Sequence, residues 1–209
     1  MRKLCFVCLL WSVAARAQYP GYAPVSNPQA FKTAFASAYQ QTTSLRSDFV
    51  QEKDLSVLEE KITSRGKFYF KKENNIRLEY VHPFQYLLIL ANNHVYIRDG
   101  AKENSVSAKS NKLFGKINDL VIDCVRGTAV NNPDFNTRIF EGEATYLVEL
   151  TPQEKTLKEL FKTVVLVLDK KDFTASRIRM TEPSGDYTLI NFTNKERNVD
   201  LPDALFSLH

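Results

Sequence analysis

Residues able to carry covalent or acid–base chemistry are few in this chain and far apart. Its three histidines are His82, His94 and His209. None has a second histidine or a cysteine at ligand spacing, which points away from a zinc site. Glu59-Glu60 and Glu141 with Glu143 are pairs of the kind a general acid and base would need. Both lie near turns and read as solvated charge. No G-x-S-x-G, G-x-G-x-x-G or Walker pattern occurs among the seven glycines. Asn191-Phe192-Thr193 spells a glycosylation sequon, too short a signal to carry weight. Cys124 falls on the apolar face of a helical stretch and reads as a core residue, not a nucleophile. The expectation is a protein that is not an enzyme and has no metal and no cofactor. An enzyme would need a polar cluster converging in a cavity.

The first 17 residues read as a secretory leader. Arg2 and Lys3 give the positive start, Leu4 to Trp11 is an apolar run too short to span a bilayer, and Ala15-Arg16-Ala17 is an A-x-A cleavage site. Residues 18–209 then form a single domain. Arg2, Lys3 and Arg16 leave with the leader, so 28 basic residues become 25 against 24 acidic ones. No basic footprint remains for nucleic acid. Two of the three cysteines also leave, so Cys124 has no intramolecular partner. An exported domain of this size buries enough surface to do without a disulfide.

The elements follow from hydrophobic spacing. From Arg65 to Tyr80, two alternating runs flank a polar Lys-Glu-Asn-Asn break. Phe68, Phe70, Ile76, Leu78 and Tyr80 share one face, and Lys67, Tyr69, Lys71, Arg77 and Glu79 take the other, the pattern of a half-buried β-hairpin. Further strands are expected at Ser44–Leu55, Val57–Lys71, Tyr86–Leu90, Val95–Arg98, Ser105–Ala108, Thr137–Glu141, Thr145–Leu150, Phe161–Leu168, Thr174–Met180 and Tyr187–Phe192. Asn27 as N-cap, Pro28 at the first helical position, and Phe31, Ala34, Phe35, Ala38 and Tyr39 on one stripe predict a helix from 28 to about 42. Leu113, Phe114, Ile117, Leu120, Val121 and Cys124 predict a second, with Gly127 as its stop. Before the first helix, Gln18 to Asn27 reads as an irregular arm. The fold class is therefore α+β. About eleven strands in hairpin order make one antiparallel sheet, which must curl into a half-open barrel, with the helices over its concave face.

Several of these segments resemble the periplasmic outer-membrane lipoprotein carriers, the LolA-like proteins of Gram-negative bacteria. Leu45, Asp48, Phe49 and Gln51 are similar to the family's aromatic-x-Gln strand. Gly66-Lys67-Phe68-Tyr69-Phe70-Lys71-Lys72 is similar to its Gly-x-aromatic strand. Arg77-Leu78-Glu79-Tyr80 with Pro83 resembles its Arg-Trp-Glu-Tyr…Pro strand, Val95-Tyr96-Ile97-Arg98-Asp99 resembles the next, and Leu150-Thr151-Pro152 recurs later. The likeness spans roughly residues 28 to 208 and rests on order and spacing. Three departures stand out: Lys72-Glu73 for the family's Arg-Pro, Leu78 for its Trp, and Asn92-Asn93 for its Asp-Gly.

The resemblance implies a half-open barrel whose concave face and helical lid enclose acyl chains. The expected cavity residues are Phe49, Phe68, Phe70, Ile76, Leu78, Tyr80, Leu88, Leu90 and Ile97 from the sheet, and Phe114, Ile117 and Val121 from the second helix. Lys72 stands where the family's Arg is thought to hold the lid, but lacks its planar five-donor fork. The implied function is a monomeric periplasmic carrier that takes acylated lipoproteins, or other lipid cargo, from an inner-membrane release complex to an outer-membrane acceptor. The alternative is a lipid- or lipoprotein-sensing or partner-binding module on the same scaffold.

Overall fold

The computed structural model describes residues 18–72, 75–91, 94–100, 102–107, 123–124 and 128–207. The expected leader, the Asn92-Asn93 turn, and the expected second helix except Asp123 and Cys124 lie outside these residues. Helix α1 spans Pro28–Gln40. The Asn27 side-chain oxygen accepts the Ala30 N–H at 2.9 Å, which satisfies one of the donors left open at a helix start. Proline in the first turn has no N–H to lose there.

The strands are β1 (Ala23–Pro24), β2 (Ser44–Asp54), β3 (Ile62–Lys71), β4 (Asn75–His82), β5 (Tyr86–Ala91), β6 (His94–Asp99), β7 (Lys102–Ser107), β8 (Phe135–Glu141), β9 (Thr145–Pro152), β10 (Thr163–Asp169), β11 (Ala175–Thr181) and β12 (Tyr187–Arg197). All pair antiparallel in one open sheet, ordered β1-β8-β9-β10-β11-β12-β2-β3-β4-β5-β6-β7. Among the described residues there are twelve strands, or eleven without the two-residue β1. Two meanders, β2–β7 and β8–β12, meet where β12 pairs with β2, with Phe192 opposite Phe49.

Four local expectations need correcting. The third strand begins at Ile62, not Val57, because Val57 sits in the preceding turn with 84% of its surface exposed. A short helix, α2 (Lys155–Leu160), occupies a segment read as a turn; it is capped by Glu154, whose carboxylate accepts the Leu157 N–H at 3.1 Å, and it buries Leu157. Strand β12 runs on to Arg197 through a register shift between Thr193 and Glu196. The arm before α1 contributes β1, paired with β8.

The face opposite the α1 side is covered by Tyr19 over one half and by residues 199–206 over the other. Leu201 and Phe206 bury Leu87, Ile89 and Ala91, while Lys71 Nζ donates to the Leu201 carbonyl at 2.7 Å and Arg77 to the Leu205 carbonyl at 3.0 Å. At the other half, the Tyr19 ring packs edge-on against Phe140 at 5.2 Å. Both faces of the sheet are therefore dry over part of their area, and α1 packs on one of them together with Leu157, Ala129, Val130 and Cys124.

Candidate functional site

Helix α1 is fastened at both ends. Near its start, Phe31 and Phe35 join Tyr146 and Phe173 in an aromatic cluster, with Phe31–Tyr146 at 4.8 Å and Phe35 stacked on Phe173 at 5.8 Å. At its end, the carbonyls that no helical N–H can reach are met by side chains from the adjoining strand ends. Lys72 Nζ donates to the Gln40 carbonyl at 2.7 Å and lies 5.8 Å from the Tyr39 ring centre. Arg197 donates to Thr42 Oγ1 at 2.8 Å and to the Ala38 carbonyl at 3.4 Å. Asn198, in the left-handed region at φ 56°, donates to the Gln41 carbonyl at 3.1 Å.

Between these anchorages lies a cavity of about 150 Å³. An engineered void of that size, lined by Leu, Ile and Phe, stays dry and takes up benzene. Its roof is Phe35, Ala38, Tyr39 and Thr42; one wall is Leu45, Ser47, Phe68, Phe70 and Leu78; the other is built from β10, β11 and β12, with Leu166, Ile178 and Phe192 prominent. Cys124 also lines it.

Of the residues expected from the sequence, Phe68, Phe70 and Leu78 line this cavity. Phe49, Ile76 and Leu90 lie beside it, buried in the same apolar cluster, and Tyr80, Leu88 and Ile97 pack against that cluster. Phe114, Ile117 and Val121 lie outside the described residues. The wall from β10 to β12 escaped sequence reasoning. Val164, Leu166 and Leu168 alternate cleanly, but only the β12–β2 pairing brings them opposite Phe68 and Phe70.

Among the described residues the acid and histidine candidates do not converge; His209 lies outside them. His82, Glu59, Glu60 and Glu143 are exposed, and Glu141 is paired with Lys170 at 2.6 Å. Among the described residues no three His, Cys, Asp or Glu side chains could together hold a metal ion. Burial, assisted by the charge of Asp123, pushes the Cys124 thiol up to about 12. A charged aromatic disulfide reagent at pH 8 is accordingly expected to leave Cys124 unmodified in folded protein and to react at once in denaturant. Fast reaction under native conditions, followed by absorbance, would mean that the thiol is not enclosed.

Curved antiparallel sheet, covering helix and apolar cavity together describe a half-barrel binding protein. The chain belongs to the LolA family: the family model described as outer membrane lipoprotein carrier protein LolA matches residues 40–209. Members of this family are binding and carrier proteins. No curated protein matches the chain. Among solved structures it is similar to an uncharacterized conserved protein from Thermus thermophilus, at 12% identity over 87% of this chain and 94% of that one, with a TM-score of 0.55. It is also similar to the MucA/MucB complex structure of Pseudomonas aeruginosa, at 12% identity over 86% of this chain and 60% of the matched chain, TM-score 0.52. A LolA superfamily protein from Nitrosomonas europaea matches at 11% identity over 85% of this chain and 97% of that one, TM-score 0.45. Among the described residues no helix is long and apolar enough to cross a membrane.

Proposed function

We propose that this protein is a periplasmic carrier that shields acyl chains of lipoproteins, or of related lipids, and delivers them from the inner to the outer membrane. The observation that carries this reading is the apolar cavity between α1 and the sheet, walled by Phe68, Phe70 and Leu78. Exposing an acyl chain to water costs roughly 0.8 kcal/mol per CH₂, so a chain crossing an aqueous space needs such a shelter. Native mass spectrometry of protein from its own source tests the reading directly: lipid or lipoprotein should co-purify. The second reading, a sensing or partner-binding module, is motivated by the likeness to MucB, a protein solved in complex with MucA. It would gain if a protein partner co-purified and no lipid did.

Leu78→Asp places a charge against the apolar cavity, where it has no ready partner. Binding of a hydrophobic fluorescent probe is expected to fall at least tenfold while circular dichroism stays native. Undiminished binding would place the ligand elsewhere. Phe70 is only 1% exposed, so Phe70→Asp would threaten the fold itself and is the poorer test.

Lys72 has the role of lid control in this proposal. Its bond to the Gln40 carbonyl places a cation at the negative end of the α1 dipole, in an exposed setting. Such a contact contributes about 0.3–1 kcal/mol, which changes an open-to-closed ratio roughly two- to fivefold. Lys72→Leu should loosen the lid and make the site more apolar, so that cargo loads normally and leaves more slowly. Lys72→Arg should restore closure or strengthen it. Transfer rates from carrier to acceptor membranes, equal in all three forms, would reduce Lys72 to a surface charge.

A further inference from the structure

Among the described residues Thr42, Ser47, Asp172 and Thr174 line the cavity, with the amphipathic Tyr39 and Cys124. Thr42, Asp172 and Thr174 are already engaged. Thr42 donates to the Ala38 carbonyl and accepts from Arg197. Thr174 donates to Asp172 and accepts from Lys195, each at 2.7 Å. Ser47 differs. It is 2% exposed, and its Oγ has no hydrogen-bond partner in the protein. Among the described residues the other buried side-chain polar atoms without a partner are Thr137 Oγ1 and Arg197 Nε, and neither residue lines the cavity. An orphaned hydroxyl in a dry interior is costly and uncommon, so it calls for an explanation.

Position supplies one. Ser47 lies opposite Phe68 on β3, between Leu45 and Phe49 on the inward face of β2. On its other side, β12 shifts register between Thr193 and Glu196. A hydroxyl donor is therefore set into an apolar wall where Thr42, Asp172 and Thr174 are already occupied. We propose that Ser47 is the polar anchor of the cavity and donates to the carbonyl oxygen at the head of one acyl chain, while the chain lies along Phe68, Phe70, Ile178 and Phe192. The inference deepens the carrier reading and rests on it. The shared ligand chemistry is an acyl carbonyl, which either an ester-linked cargo or a free fatty acid could supply. A hydroxyl also suits a carrier: one hydrogen bond adds orientation without the hold of an ion pair, so cargo can still be released.

The test uses three fluorescent probes of similar length on the full mature chain: a polyene fatty acid, its methyl ester, and diphenylhexatriene, which has no heteroatom. Ser47→Ala should weaken the ester and the acid roughly 2- to 12-fold, the size of one net hydrogen bond, and leave diphenylhexatriene unchanged. Ser47→Cys, near in size and a weak donor, should fall between. Loss confined to the ester supports acylated cargo as the source; loss confined to the acid supports a free fatty acid. Equal loss on all three probes, or loss on none, overturns the anchor and leaves the cavity reading standing. Failure of the wild type to bind any probe overturns both. Melting of the unliganded Ser47→Ala protein is expected at or above the wild-type temperature, since the change removes an unpartnered hydroxyl.

Discussion

Gly66→Ala is expected to lower the melting temperature by roughly 6–12 °C, at about 2–4 °C per kcal/mol for a domain of this size. The cause is space and not backbone freedom. A Cβ on Gly66 would stand 2.2 Å from the Glu79 carbonyl oxygen, 2.7 Å from Phe49 Cζ and 2.8 Å from Phe49 Cε1. Phe49 is 1% exposed and cannot swing out, and the Glu79 oxygen belongs to the backbone of β4. Overfilling a packed interior costs about 1–3 kcal/mol, and a clash with backbone falls at the upper end. Gly66 also sits at the register shift between β3 and β4, where Tyr80 is brought opposite it. The Phe49 ring therefore lies over the glycine and meets Tyr80 edge-on at 5.0 Å. Thermal melts followed by circular dichroism decide the matter; a drop of less than about 2 °C would show that β4 can move aside.

Much of this architecture is legible in local spacing, because a strand with one dry face must alternate. Phe68/Phe70 and Ile76/Leu78 read as one face, and they pair as Phe68 with Leu78 and Phe70 with Ile76. Asn27-Pro28 announces α1 by the same local logic. The failures are also physical. Leu157 is the one buried side chain in α2, so that helix has too short a period to register. Val57 and Leu58 are apolar yet exposed, and they extend an alternating pattern past the end of its strand. Tyr86 to Ala91 is apolar almost throughout because both its faces are covered, one by the cavity-side cluster and the other by Leu201 and Phe206. Nothing in the sequence of β5 says which segment covers it.

The site is legible by halves for a related reason. Residues from β3 and β4 are neighbours through a short hairpin, so their shared face can be read off the chain. The opposite wall comes from residues 164–192, joined to the first by the long-range β12–β2 pairing. Ser47 looks like any inward-facing polar residue on a half-exposed strand until the partners of Thr42, Asp172 and Thr174 are known. Lys72 is different: two positions beyond Phe70, at the end of the same strand, its reach toward a covering helix follows from alternation, and its bond is to Gln40 at the C-terminal end of α1.

Removing Arg138 and the Tyr19 hydroxyl together should cost about 3–5 kcal/mol, more than removing the acid they serve. Glu149 is 2% exposed on β9. Its carboxylate accepts from Gln18 at 2.9 Å, from Arg138 Nε at 3.0 Å, and from the Tyr19 hydroxyl and Arg138 Nη2 at closer range. In Tyr19→Phe/Arg138→Leu the buried charge keeps only Gln18. Glu149→Leu removes the charge itself; the Arg138 side chain, 49% exposed, turns to water, and the loss should stay within about 1 kcal/mol. The Tyr19 hydroxyl is also held well above its ordinary pKa of 10.0, first by burial and then by its bond to Glu149. Burial likewise pushes Tyr80 up to about 12. A proton bound more tightly in the folded than in the unfolded chain stabilises fully below pH 10, and that contribution fades as pH rises toward the folded value. Wild-type protein should therefore lose stability above pH 10, and Tyr19→Phe should flatten that decline while leaving the slope between pH 7 and 9 unchanged. Urea melts at pH 7 and at intervals to pH 11 measure both effects. If Glu149→Leu proved as damaging as the double variant, the carboxylate would be the source of the stability, not the charge that its donors neutralise.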